Sequence, residues 1–167
     1  MLPNTQWLDL SLDGVDAAVA DRVRAFRLLI SHGARLRGLL DRVLAPSGLT
    51  TQQGAMLAWI QAQPQAPTIS AVAAGLGMSH QNVKQIALAL ERKGFIEIRI
   101  GENDRRARHL ALTARHHQFW SERNADDFTA ILGWTAAWSD SDVQQVIQLL
   151  LRLQDPHAGP VKGARAV

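Results

Sequence analysis

Apolar residues recur at helical steps through Val15, Val19, Val23, Phe26, Ile30, Gly33, Leu36, Leu40 and Val43, which predicts one helix over 15–44. At 1.5 Å per residue such a helix is roughly 45 Å long. That is more than a lone small domain covers, so part of it is expected to pack against a partner chain. Pro46-Ser47-Gly48 stops it. Thr50 is placed to cap a second helix over 51–63, with Ala55, Leu57, Ala58, Trp59 and Ile60 as its apolar content, and the run QPQAP ends it. Two further helical patterns lie in TISAVAAGLGMSHQNVKQIALALERKG, divided by Gly77-Met78.

After Gly94, suited to the left-handed conformation that closes a helix, the period changes to two. Ile96, Ile98 and Ile100 alternate with Glu97 and Arg99, and Leu110 and Leu112 alternate with His109 and Ala111. Two strands flanking Gly101 to Arg106 therefore form a hairpin with a polar tip. Thr113 is placed to cap a helix over 114–138, and Ser139-Asp140-Ser141-Asp142 supplies an N-cap and first-turn carboxylates for a last helix through Leu153. The stripe of that helix is Val143, Val146, Ile147, Leu150 and Leu153, widened by Leu149 and Leu151. The tail DPHAGPVKGARAV lacks periodicity and is expected to be disordered.

The charge distribution sharpens this picture. Residues 1–50 hold six basic and five acidic side chains, 51–78 none, 79–112 seven and four, and 113–167 five and six. The net charge of +3 is thus matched by the segment 79–112 alone, a footprint suited to a polyanion or a solvated charged face. With 47% hydrophobic residues the chain can build a core, and at 167 residues it suits one domain plus the helices that pair it with a copy of itself. It has no cysteine, which excludes a disulfide framework, a thiolate zinc site and a cysteine redox switch. No run approaches the roughly 18 apolar residues of a membrane span, and the start lacks the basic-then-apolar pattern of a signal peptide, so the expected location is the cytoplasm.

A helix-turn-helix needs a small residue where its helices cross, a glycine in the turn and branched residues beneath the second helix. Ala73, Gly77, Val83 and Ile86 fall at those offsets. Burying Val83, Ile86, Ala87 and Leu90 turns Ser79, His80, Gln81, Lys84, Gln85 and, further along, Leu88 outward. Glutamine can pair bidentately with adenine, lysine can donate to guanine or phosphate, and Ser79 as N-cap leaves a helix N-terminus facing a phosphate. The hairpin tip gathers Arg105, Arg106 and Arg108, and an arginine on a slender loop can enter the minor groove beside a recognition helix. Asp104 is placed to pre-orient the Arg106 guanidinium by a charge-assisted hydrogen bond.

The order of elements, together with LTTQQ at Leu49–Gln53, LERKGFIE at Leu90–Glu97, the D-x-R of Asp104 and Arg106, and LALT at Leu110–Thr113, resembles the MarR (multiple antibiotic resistance regulator) family of winged-helix transcription factors over residues 15–154. The resemblance implies a mainly α fold with a small two-stranded wing: a winged helix-turn-helix plus long dimerisation helices. It implies an N-terminal segment and dimerisation helix over 1–45, the DNA-binding lobe over 46–112, C-terminal dimerisation helices over 113–155 and a tail over 156–167. It further implies a homodimer on double-stranded DNA with a pseudo-palindromic operator, a repressor released by a small aromatic or anionic effector, and Arg106 in the minor groove with Asp104 as its partner. One departure stands out: many members carry glycine three residues after the LT that ends the wing, where this chain has His116.

For an effector, Trp59 and Trp120 are aromatic candidates, or core residues, and His32 and Arg35 could meet a carboxylate. His109, His116 and His117 raise the question of metal sensing, but adjacent histidines on a helix point about 100° apart and no carboxylate stands three or four residues after His116, so no metal site and no cofactor is assigned. No phosphate-binding glycine loop, G-x-S-x-G or H-E-x-x-H is present, and Asp126 and Asp127 are consecutive, so no enzyme is expected. Two alternatives remain: first a winged helix kept for protein contacts without specific DNA binding, and behind it a metal-responsive regulator.

Overall fold

The computed structural model describes residues 5–101, 104 and 106–153, with the backbone alone at 124–126. Its elements are α1 (Ala17–Leu44), α2 (Thr51–Gln61), α3 (Ile69–Leu76), α4 (His80–Arg92), β1 (Ile96–Ile100), β2 (Arg108–Leu112), α5 (Ala114–Trp134) and α6 (Asp140–Leu151). Among the described residues the chain is thus mainly α with one two-stranded antiparallel sheet, as its periodicities predict. It divides into two compact units, 1–117 and 118–167.

Each helix start has a local cause. Asp16 caps α1 by accepting from the N–H groups of Ala18 and Val19, Thr50 and Gln53 form a reciprocal capping box on α2, and Thr68 caps α3. Ser139 and Asp142 form a second box on α6. The stop after α1 is a single turn over Ala45–Ser47 closed by Gly48 at φ +67°, a conformation that favours glycine. Four helices are shorter than expected. α1 begins at Ala17 rather than at 15, α2 ends at Gln61 rather than at 63, α6 at Leu151 rather than at 153, and α5 at Trp134 rather than at 138, where Thr135 turns its hydroxyl back onto Ile131 O at 2.9 Å.

The core of the 1–117 unit lies between α2, α3, α4 and the hairpin. Met56, Leu57, Val72, Val83, Leu90, Phe95, Ile96 and Leu110 are all buried. Gly75 lets α3 approach α2 closely: a Cβ there would stand 2.2 Å from the Trp59 indole, so only glycine fits without displacing the ring. Two features leave no periodic trace in the sequence. The segment Ala66–Thr68 joins the outer edge of β2, where Leu110 N–H donates to Pro67 O at 2.9 Å and Thr68 bridges His109. A short turn over Gln6–Leu8 folds onto α1, where Arg27 donates to Leu8 O at 2.7 Å and Leu10 O at 3.0 Å, and Arg24 pairs with Asp9 at 2.7 Å.

The apolar residues of α1 are largely exposed in the single chain, among them Phe26, Ile30 and Leu36. In the 118–167 unit the same holds for Ile131 and Leu132 on α5 and for Ile147, Leu149, Leu150 and Leu151 on α6.

Candidate nucleic-acid interface

α3 ends in a left-handed turn at Gly77, φ +60°, with Met78 N–H returning to Ala73 O at 2.9 Å. This turn aims α4. Ser79 starts it, its hydroxyl accepting from Asn82 N–H at 3.2 Å. Val83, Ile86, Ala87 and Leu90 are buried against the core, and as a consequence of the 3.6-residue repeat Gln81, Lys84, Gln85 and Leu88 form one exposed stripe, with Ser79 and His80 exposed at its head. The outward set is therefore the one the spacing predicts.

The other end of α4 is tied down by two side chains. Lys93 donates to Gly48 O and, at 2.8 Å, to Gln53 Oε1, the same oxygen that accepts from Thr50 N–H at 3.3 Å. Gln53 is buried, so its amide meets an ammonium and a backbone donor where water is scarce. Asp41, in the last turns of α1, accepts from Thr51 N–H and Thr51 Oγ1, each at 2.7 Å, and these bonds hold its carboxyl below the usual carboxylate range. The start of α2 is thus a junction that fixes both α1 and α4.

In the hairpin, Ile96 faces Leu112, Ile98 faces Leu110 and Ile100 faces Arg108. Burial decays along it, from buried Ile96 to exposed Ile100, so the tip projects from the core. Arg106 and Arg108 are exposed; Arg105 lies outside the described residues. Asp104 does organise the tip, but by another bond than expected. Its Oδ1 accepts from the backbone N–H of Arg106 at 2.8 Å, and its carbonyl accepts from Ala107 N–H at 3.0 Å. The carboxylate shapes the turn, because a short acidic side chain reaches the backbone two residues on more readily than a distant guanidinium.

His116, where many members of the resembled family have glycine, is fully buried, its Nε2 3.1 Å from Gln61 Oε1. Burial, and secondarily the neighbouring His117, pushes its pKa down to about 4, so the ring is neutral around pH 7. Thr113 donates from Oγ1 to Gly94 O at 2.7 Å, locking the start of α5 onto the end of α4. His109 Nδ1 lies 2.9 Å from Ala66 O. Among the described residues no group of three histidine, aspartate or glutamate side chains converges as a metal site would require.

Of the four effector candidates, His32, Arg35 and Trp59 lie in the 1–117 unit and Trp120 in the 118–167 unit. His32 and Arg35 are exposed on α1, with His32 Nδ1 3.0 Å from Leu28 O. Trp59 is half-buried on Gly75, which gives its ring a packing role. None of the hydrogen bonds or ring contacts among the described residues joins these three. Trp120, in the other unit, is half-buried edge-on to Phe119 at 5.0 Å.

Residues 47–107 match the model of the MarR family. The chain is 34% identical over 84 residues to the transcriptional repressor MprA of Escherichia coli K12, a match over 50% of this chain and 48% of the relative, so the chain spans about half the length of the curated relatives it matches. Among solved structures, a MarR-family regulator from Rhodococcus sp. RHA1 superposes with a TM-score of 0.68 at 19% identity, over 82% of this chain and 95% of that one. The MepR–DNA complex of S. aureus gives 0.65 at 23% identity over 76% and 91%. CouR of Rhodococcus jostii RHA1, bound to p-coumaroyl-CoA, gives 0.64 at 23% identity over 74% and 86%. These superpositions establish the winged-helix fold.

Proposed function

We propose that this chain, whose residues 47–107 match the model of the MarR family, is a homodimeric, sequence-specific DNA-binding regulator of transcription, acting as a repressor on a pseudo-palindromic operator. The observation that carries the reading is the exposed stripe of α4, hydrogen-bonding and free of carboxylates between Ser79 and Gln85, set beside a hairpin whose projecting tip bears Arg106. In this reading Ser79, His80, Gln81, Lys84 and Gln85 address the major groove and neighbouring phosphates, Arg106 enters the minor groove, and Arg105 and Arg108 add phosphate contacts. Asp104 acts by holding the backbone turn that presents Arg106.

The dimer completes the argument for α1 and α6, whose exposed apolar faces exceed what a lone chain leaves in water. Two lobes related by a twofold axis then read half-sites about one helical turn apart. The repressor MprA and the DNA-bound MepR lend the DNA reading weight, and ligand-bound CouR lends it to a small aromatic or anionic effector. The side chains on which such an effector is to be tested are His32 and Arg35, as hydrogen-bond donors to a carboxylate, and, each by itself, the aromatic rings of Trp59 and Trp120. A cytoplasmic location, where the genome is, follows from the same reading.

The test is fluorescence anisotropy on duplexes tiled across the DNA flanking the gene, at several salt concentrations. One duplex should bind tightly with a steep salt slope, and Arg106→Ala should weaken it by about 1–3 kcal/mol. Equal, weak binding to every duplex, untouched by Arg106→Ala, would sink the reading.

A further inference from the structure

The backbone groups along the outer edges of a two-stranded hairpin need partners of their own. On β2 the Ala66–Thr68 segment supplies them. On β1 the partner is a side chain of the recognition helix: Ile98 N–H donates to Glu91 Oε1 at 3.0 Å. Glu91 sits in the last turn of α4, on the exposed side. One carboxylate therefore joins the helix that carries Gln81, Lys84 and Gln85 to the strand that leads out to the arginine-bearing tip.

We propose that Glu91 is a positioning residue that sets the angle between α4 and the wing, so that Arg106 reaches the minor groove while α4 lies in the major groove. The inference rests on the DNA-binding reading above. A hairpin whose outward half is exposed pivots about its buried end, and a small rotation there is magnified at the tip. The bond to Ile98 lies midway along β1, between buried Ile96 and exposed Ile100, where it resists that rotation. Charge alone predicts the opposite of positioning: an exposed carboxylate beside a polyanion repels it, so removing Glu91 should tighten binding. The two accounts differ in sign.

The experiment uses the full chain and the tightest duplex from the tiled set, with a scrambled duplex as control. Glu91→Gln keeps an acceptor oxygen and loses the charge; Glu91→Ala and Glu91→Met lose the acceptor, Met keeping the bulk. Each is measured with and without Arg106→Ala, alongside amide exchange at Ile98. Glu91→Gln is expected to bind as tightly as the unsubstituted protein or more so. Glu91→Ala and Glu91→Met are expected to lose roughly tenfold on the specific duplex and nothing on the scrambled one. The loss should disappear in the Arg106→Ala background, because a device that aims the arginine has nothing left to aim. Faster exchange at Ile98 should accompany it. Unchanged or tighter binding by Glu91→Ala and Glu91→Met, or a loss of equal size with and without Arg106, overturns the proposal. If the unsubstituted protein itself discriminates no duplex, the DNA-binding reading falls separately. Exchange at Ile98 then decides whether Glu91 holds the wing, with unchanged protection in Glu91→Ala overturning it.

Discussion

The lobe between Thr50 and Leu112 and the long helices outside it treat their apolar residues in opposite ways. In the lobe Met56, Leu57, Val72, Val83, Leu90 and Leu110 are at 0% exposure, whereas Phe26 on α1 stands at 58%, Ile30 at 61% and Leu151 on α6 at 73%. The lobe is finished by its own chain, and the helices are not. Periodicity alone cannot make that distinction, because a stripe that meets its own domain and a stripe that meets a second copy look alike.

Leu90→Ala tests the finished side most severely. It should cost about 2–5 kcal/mol, as a cavity under α4 that the packed surroundings cannot refill, and denaturant unfolding would show it. A loss below 1 kcal/mol would mean that the lobe core is looser than its burial implies. Phe26→Asp combined with Ile30→Asp tests the unfinished side. Far-UV circular dichroism should be preserved while sedimentation shifts from dimer to monomer, a loss of roughly 2 kcal/mol or more in association. A dimer that survives both charges must be joined elsewhere. Gly75→Ala should cost about 1–3 kcal/mol, since its methyl enters the space of the Trp59 ring; an unchanged melting temperature would show that the ring swings away freely.

The smallest expected effect concerns His116. Its pKa is about 4 in the fold against 6.5 for an ordinary histidine, so the unfolded chain takes up a proton in that window that the folded chain refuses. Stability should therefore fall as pH drops from 6.5 toward 4. His116→Gln should flatten this part of the profile of melting temperature against pH. An identical slope in the variant would assign the effect to other groups.

How much of this was legible in the sequence follows from how far apart the interacting residues are. The helix-turn-helix was readable because Ala73, Gly77, Val83 and Ile86 keep fixed offsets within one short stretch, and the hairpin because a period of two interrupts a period of 3.6. The joining of Ala66–Thr68 to β2 was not, since its proline reads locally as a stop and its partner lies 43 residues on. Nor was the Lys93–Gln53 tie, 40 residues apart, or the Arg27 bracket on the N-terminal turn. At the site, the outward set on α4 came directly from the helical repeat. At Asp104 charge pairing suggests the Arg106 guanidinium, whereas the bond displayed by the fold runs to the Arg106 backbone N–H, which turn geometry favours. The glycine-to-histidine departure marked position 116, but only the fold reveals that Gln61 receives its ring.

The hairpin held along both edges has a consequence for how this protein behaves when concentrated. An unprotected edge strand is a template on which another molecule can add its own strand, the first step toward fibrous aggregates. Here Glu91 occupies one such site on β1 and Pro67 one on β2, so a second hairpin arriving from solution finds donors there already engaged. Self-association is thereby steered away from an open-ended sheet, whereas the pairing of apolar helical faces proposed above would saturate in a closed pair.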